Sequence, residues 1–106
     1  MSDRQILRRV RPNPGQGNAT FLFFCPGCRC AHGVWVEEPN AHTGAQWTWN
    51  GSMERPTFQP SILIEYSPAP PDRPERCHLY VTDGRIQYLP DCTHALAGQT
   101  IPLPPF

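Results

Sequence analysis

Cys25 and Cys28 flank Pro26 and Gly27, a spacing that points two thiolates at one spot and suits a metal ion bound by four soft or borderline donors. Two further donors must come from elsewhere in the chain. Cys30, His32, Cys77, His78, Cys92 and His94 offer more than enough. Zinc is the expected ion, with Cys25, Cys28 and Cys77 as ligands. The fourth ligand is open: His32 follows directly on the Cys25–Cys28 turn, while Cys30, Cys92 and the histidines 78 and 94 are alternatives. Cys30 also reads as a small buried residue, the common fate of a free cysteine. His42 lies among Pro, Gly and Asn and reads as a surface residue.

Short strands must position these groups. Residues 21–24 lead into the Cys25–Cys28 turn and residues 32–36 lead out, as in the strand–turn–strand unit of a zinc knuckle. Residues 46–50 put Trp47 and Trp49 on one face and close at Asn50-Gly51, a pair that tolerates positive φ and predicts a hairpin. Residues 61–66 alternate, with Ile62, Ile64 and Tyr66 on one face and Ser61, Leu63 and Glu65 on the other. A second hairpin runs through residues 77–89 around Asp83-Gly84. A two-residue turn there opposes Val81 to Ile86, Leu79 to Tyr88 and Cys77 to Pro90 on the apolar face. Cys77 therefore points inward, and His78 points the other way with Tyr80. The Pro-rich residues 67–74 predict an exposed loop, and residues 95–106 predict a tail that wraps the sheet.

The composition frames these elements. A chain of 106 residues allows one domain with a modest core, and fourteen prolines and eight glycines leave no uninterrupted stretch for a helix of average length. The expected fold is mainly β, a small antiparallel sheet with a zinc knuckle, zinc-ribbon-like, with little helix. Residues 1–19 read as a flexible Arg- and Pro/Gly-rich arm, and residues 20–106 as the single zinc-stabilised domain. Nine acidic and nine basic residues cancel, which argues against nucleic acid or an anionic membrane as partner. No apolar run is long enough to span a bilayer or export the chain, so a cytoplasmic protein is expected. An odd number of cysteines, five, in such a compartment fits metal ligation better than disulfides.

Several motifs in order resemble a family of small phage and prophage zinc-binding proteins: Cys25-Pro-Gly-Cys28 with His32, Trp47-Thr-Trp-Asn-Gly51, Pro56-Thr-Phe-Gln-Pro-Ser-Ile62, Cys77-His78, Asp83-Gly-Arg-Ile86 and Asp91-Cys-Thr-His-Ala-Leu-Ala-Gly-Gln-Thr100. Its members are often called ammonia monooxygenases, membrane copper enzymes that a short chain like this does not resemble. The family is distantly similar to peptidases found beside bacterial ubiquitin-like conjugation genes. Those share a cysteine-rich knuckle, a Pro-Ser-Ile segment, here residues 60–62, and a later Cys/His pair, here Cys77-His78. The resemblance implies a hydrolase of peptidase type that acts on a ubiquitin-like modifier or its conjugates in a bacterial host cell.

In that reading Ser61 is the nucleophile, inert unless a base removes its proton and an acid orients the base. His78 or His94 would be the base and Asp91 the orienter, provided the segment after Leu89 curls back onto the His78 strand. A metal-dependent peptidase is a second reading, with Asp91 or Glu54 accepting a proton from zinc-bound water. A third is non-catalytic: zinc staples a small core, and Trp35, Trp47 and Trp49 bind a host protein.

Overall fold

A computed structural model describes residues 5–66 and 74–106. Arg4 and all but Pro74 of the Pro-rich segment lie outside the described residues. Among the described residues there is no helix, and the fold is mainly β. The strands are β1 (Arg8–Arg9), β2 (Phe21–Cys25), β3 (Cys30–Val34), β4 (Thr48–Trp49), β5 (Phe58–Glu65), β6 (Arg76–Thr82), β7 (Arg85–Tyr88) and β8 (Thr100–Pro102). They form two antiparallel sheets, ordered β1-β2-β3 and β4-β5-β6-β7-β8.

Alternation fixes which faces meet. Phe21, Phe23 and Cys25 of β2 are buried, as are Cys77, Leu79 and Val81 of β6 and Ile86 and Tyr88 of β7. Together with Phe58 and Ile62 of β5 they make one core between the sheets, bridged where the Phe21 ring lies 6.2 Å from Phe58 and 4.8 Å from Trp49. Full burial of one such phenylalanine contributes about 1.5–3 kcal/mol. Leu7 joins this core at 1% exposure, and Arg8–Arg9 pair with β2. Part of the stretch expected to be a flexible arm thus lies on the sheet, held there by Leu7 and by the partly buried Ile6 beside it.

The Asn50-Gly51 hairpin is not formed as a tight turn. Residues 50–57 make a wider connection that the Asn50 side chain organises: its Oδ1 accepts from the Ser52 and Thr57 amides, and its Nδ2 donates to the Arg55 carbonyl. Strand β5 also starts earlier than expected, at Phe58, and is irregular. Phe58 opposes Val81 and Ile62 opposes Leu79, so residues 59–61 stand against Tyr80 alone. Such a bulge re-aims side chains, and Ser61 lies in it.

The β6–β7 hairpin has the predicted register, with Val81 opposite Ile86 and Leu79 opposite Tyr88. Asp83 and Gly84 take φ of 50° and 77°. A Cβ on Gly84 would also approach the Arg55 Cα and the Glu54 carbonyl to 3.3 Å. Gly84→Val should therefore cost roughly 1–3 kcal/mol. That corresponds to a fall in melting temperature on the order of 4–15 °C for a domain of this size. A variant that melts with the parent would contradict the positive-φ turn.

Candidate active site and metal centre

The knuckle turn between β2 and β3, the start of β6 and the end of β7 converge on one buried point. Cys25, Cys28, His32 and Cys77 bring one donor atom each within 4.8 Å of one another, and all four are buried. His32 is placed by alternation in β3, opposite Phe23, whose ring it meets edge-on at 5.7 Å. Its Nε2 is buried without a hydrogen-bond partner among the described residues. A buried polar atom of that kind is costly unless something accepts its lone pair or proton. Three thiols, an unpartnered imidazole nitrogen and the short mutual distances fit a metal ion. The cluster could hold one.

Its electrostatics point the same way. The Cys25 thiol is driven far below the ordinary thiol range by hydrogen bonds from Cys28 and then Cys77 to its thiolate. Cys28 is pushed up to about 12, chiefly by the same bond to Cys25, and Cys77 is pushed up by Cys25, then Cys28, then burial. Three close thiols share one negative charge readily, but not three, unless a cation joins them. Tyr88 borders the cluster with its hydroxyl 3.1 Å from Cys25 Sγ and accepts a bond from the Gly27 amide at 3.2 Å. Burial and the Cys25 thiolate raise that hydroxyl's pKa, so it stays a neutral donor to the sulfur.

Cys77 also belongs to a second group, with Cys92 and His94. His94 Nε2 lies 3.3 Å from Cys77 Sγ, and its Nδ1 accepts the Leu96 amide. Burial pushes this imidazole below its usual range. The ring packs against Tyr88 and over Gly27, where a Cβ would come within 2.5 Å of it, so only glycine fits in that turn. His94 is therefore placed beside the cysteines and not against Ser61. Cys30 stands apart from both groups, 3.8 Å from the Tyr66 hydroxyl.

One residue beyond Cys77, the alternation of β6 turns His78 to the opposite face. Leu63 is its direct partner across β5, which makes Ser61 the diagonal neighbour, within reach of a long side chain. Ser61 Oγ lies 3.1 Å from His78 Nε2. On the other side the chain does curl back after β7. The Leu89 amide donates to the His78 carbonyl and the Thr93 amide to the Arg76 carbonyl, which carries Asp91 to His78 Nδ1 at 3.1 and 3.3 Å from its two oxygens. An ionised carboxylate can only accept, so Nδ1 carries the proton and the Nε2 lone pair faces the Ser61 hydroxyl. Ser61 donates to His78, and His78 donates to Asp91.

Cys92 and Arg76 support this row, and spacing alone did not mark either for it. The Cys92 sulfur accepts the His78 amide at 3.2 Å and donates to the His78 carbonyl at 3.1 Å. Arg76 pairs with Glu65 at 3.0 Å and lies 3.8 Å from Asp91. These are exposed ion pairs, of small worth to stability. Ser61 opens on a cleft of about 580 Å³ between the two sheets, walled by Trp35, Trp47, Asn40 and Gln46, with β3 along its far side. The volume is that of a small-ligand or peptide site. Trp47 Nε1 donates to the Ser61 carbonyl at 3.2 Å and so fixes the serine backbone. Glu54 lies outside this group, on the 50–57 connection.

A hydroxyl, an imidazole and a carboxylate bonded in that sequence form the constellation that serine hydrolases share on unrelated folds. Here it stands on a small two-sheet β fold beside a thiol-rich cluster. Residues 3–89 match the family described as bacterial ubiquitination-like system serine protease (BubE), and the chain belongs to that family. The matched span contains Ser61 and His78 and ends two residues before Asp91. No curated protein and no solved structure matches the chain.

Proposed function

We propose that this chain is a serine peptidase of a bacterial ubiquitin-like system, with Ser61 as nucleophile, His78 as base and Asp91 as the group that orients it. The observation that carries the reading is the hydrogen-bonded row Ser61–His78–Asp91, met on a chain of the BubE family. His78 takes the Ser61 proton as Oγ attacks the carbonyl carbon of an amide. The imidazolium returns that proton to the departing amine, leaving an ester on Ser61, and a water activated by the same His78 releases the acid. Asp91 holds the Nδ1 proton throughout and favours the charged imidazole.

The metal in this reading is zinc on Cys25, Cys28, Cys77 and His32, a three-thiolate, one-imidazole set typical of structural sites. Four protein donors close its shell, and zinc supplies cross-linking energy between the knuckle and β6. His94 then serves as an outer hydrogen-bond partner of the Cys77 sulfur. Because Cys77 and His78 are adjacent on β6 and face opposite ways, the ion anchors the strand that carries the base. The substrate class is an amide of a ubiquitin-like modifier or of its conjugates, in the cytoplasm of a bacterial cell.

The test is to trap the ester. During cleavage of a ubiquitin-like modifier extended by a C-terminal peptide, acid quenching and mass spectrometry should find the acyl fragment on the peptide that contains Ser61. Cleavage that proceeds at full rate in Ser61→Ala with no such adduct would overturn the assignment.

A further inference from the structure

Among the described residues the edge of β5 beyond Ser61 is open. Strand β4 pairs with β5 only at Thr48–Gln59 and Trp49–Phe58, so from Ser61 onward no strand among the described residues lies on that side. Which backbone groups face the opening follows from β6. His78 gives its amide to Cys92 Sγ and its carbonyl accepts from Leu89, both away from β5. Arg76 does the same with Thr93, whose hydroxyl accepts the Arg76 amide and whose own amide meets the Arg76 carbonyl. Their partners Leu63 and Glu65 therefore belong to the pairs of an antiparallel ladder that exchange no hydrogen bonds with each other. Leu63 and Glu65 turn their own amides and carbonyls outward. The Ser61 carbonyl points the same way, toward Trp47.

The result is a row of donors and acceptors at every second residue, the repeat that an extended peptide presents. The row starts at the candidate nucleophile and runs along the cleft that Leu63 and Ile64 help to line. Across that cleft stand Ala31, His32 and Gly33 of β3, itself the edge of the other sheet. Among the described residues no Asp, Glu, Lys or Arg lines it, while Trp35 and Trp47, with rings 6.5 Å apart, supply an apolar wall. These features select an occupant with an extended main chain and uncharged side chains.

We propose that the cleft binds its substrate by strand addition: an extended, uncharged peptide segment pairs with the open edge of β5 through Leu63 and Glu65, and so presents its scissile carbonyl to Ser61. This inference rests on the reading of Ser61 as nucleophile. Alternate residues of the peptide exchange main-chain hydrogen bonds with β5, and the intervening ones point their amides into the cleft.

The test compares two reagents with the same reactive group on the metal-loaded chain. One is the single-residue acetyl-alanine diphenyl phosphonate, and the other carries the peptide acetyl-Leu-Ala-Leu-Ala. Phosphonylation of Ser61, followed by mass spectrometry, should be at least about tenfold faster with the longer reagent, since two or more added hydrogen bonds of ordinary net worth give that much. Methylating its amide nitrogens one at a time should then slow the reaction about fivefold at alternate positions and little at those between. A longer reagent that gains nothing, or a methylation pattern without alternation, overturns strand addition while leaving the nucleophile in place. If neither reagent modifies Ser61, the nucleophile reading itself fails and this inference falls with it.

Discussion

Ser61→Ala is expected to lower the rate of amide hydrolysis on the order of 10⁴-fold or more, with the melting temperature and metal content unchanged. The hydroxyl donates to His78 Nε2 at 3.1 Å, and the Ser61 carbonyl bond to Trp47 survives the substitution. Stability should therefore be spared. His78→Ala should be as damaging, and the double variant no worse than either, because a nucleophile and its base act as one unit. Asp91 is more open to water, with its side chain 43% exposed against 24% for His78. Asp91→Asn should then cost less than either single loss, on the order of 10²–10³-fold, since solvent partly replaces its charge. Single-turnover rates with saturating substrate would show the order. Equal loss at Asp91 and Ser61 would point to a more enclosed site than the one described.

Removal of the metal has the largest expected effect on folding. Structural zinc in small peptides binds with about 10–16 kcal/mol, as much as or more than the roughly 5–15 kcal/mol that holds an ordinary domain folded. Chelation, or Cys25→Ser, Cys28→Ser or Cys77→Ser, should therefore abolish the cooperative melting transition or lower it by tens of degrees. Each sulfur is one of the four donors gathered at the cluster among the described residues. Cys30→Ser should change little, because that sulfur lies 3.8 Å from the Tyr66 hydroxyl and belongs to neither donor group. Metal content per chain, read beside each melt, separates loss of the ion from simple misfolding. A metal-free chain with an unchanged melt would contradict the stapling role.

The parts legible in the sequence were those set by local rules. Asp83-Gly84 specifies a tight turn, the turn fixes the register of β6 and β7, and the two-residue alternation then puts Cys77 in the core and His78 outside it. The knuckle gathers Cys25 and Cys28 for the same local reason. What was not legible depends on long-range packing. Whether His78 or His94 meets Ser61 is decided by the path of residues 89–94, which Leu89 and Thr93 tie to the back of β6 through hydrogen bonds that no pattern announces. The bulge at residues 59–61 was hidden because Phe58 and Ile62 keep the same face with or without it. The wide 50–57 connection escaped because Asn50-Gly51 is also the signature of a tight turn, and only the Asn50 contacts to Ser52, Arg55 and Thr57 reveal the difference.

The most direct measurement is the site of covalent modification by diisopropyl fluorophosphate, which needs no knowledge of the substrate. A serine gains the nucleophilicity to react only when a base removes its proton. The native, metal-loaded chain should acquire one adduct, mapped to Ser61, and His78→Ala and the acid-unfolded chain should acquire none. An unmodified Ser61 in the native chain, or equal modification in His78→Ala, would contradict the Ser61–His78–Asp91 assignment and leave the cleft as a binding surface.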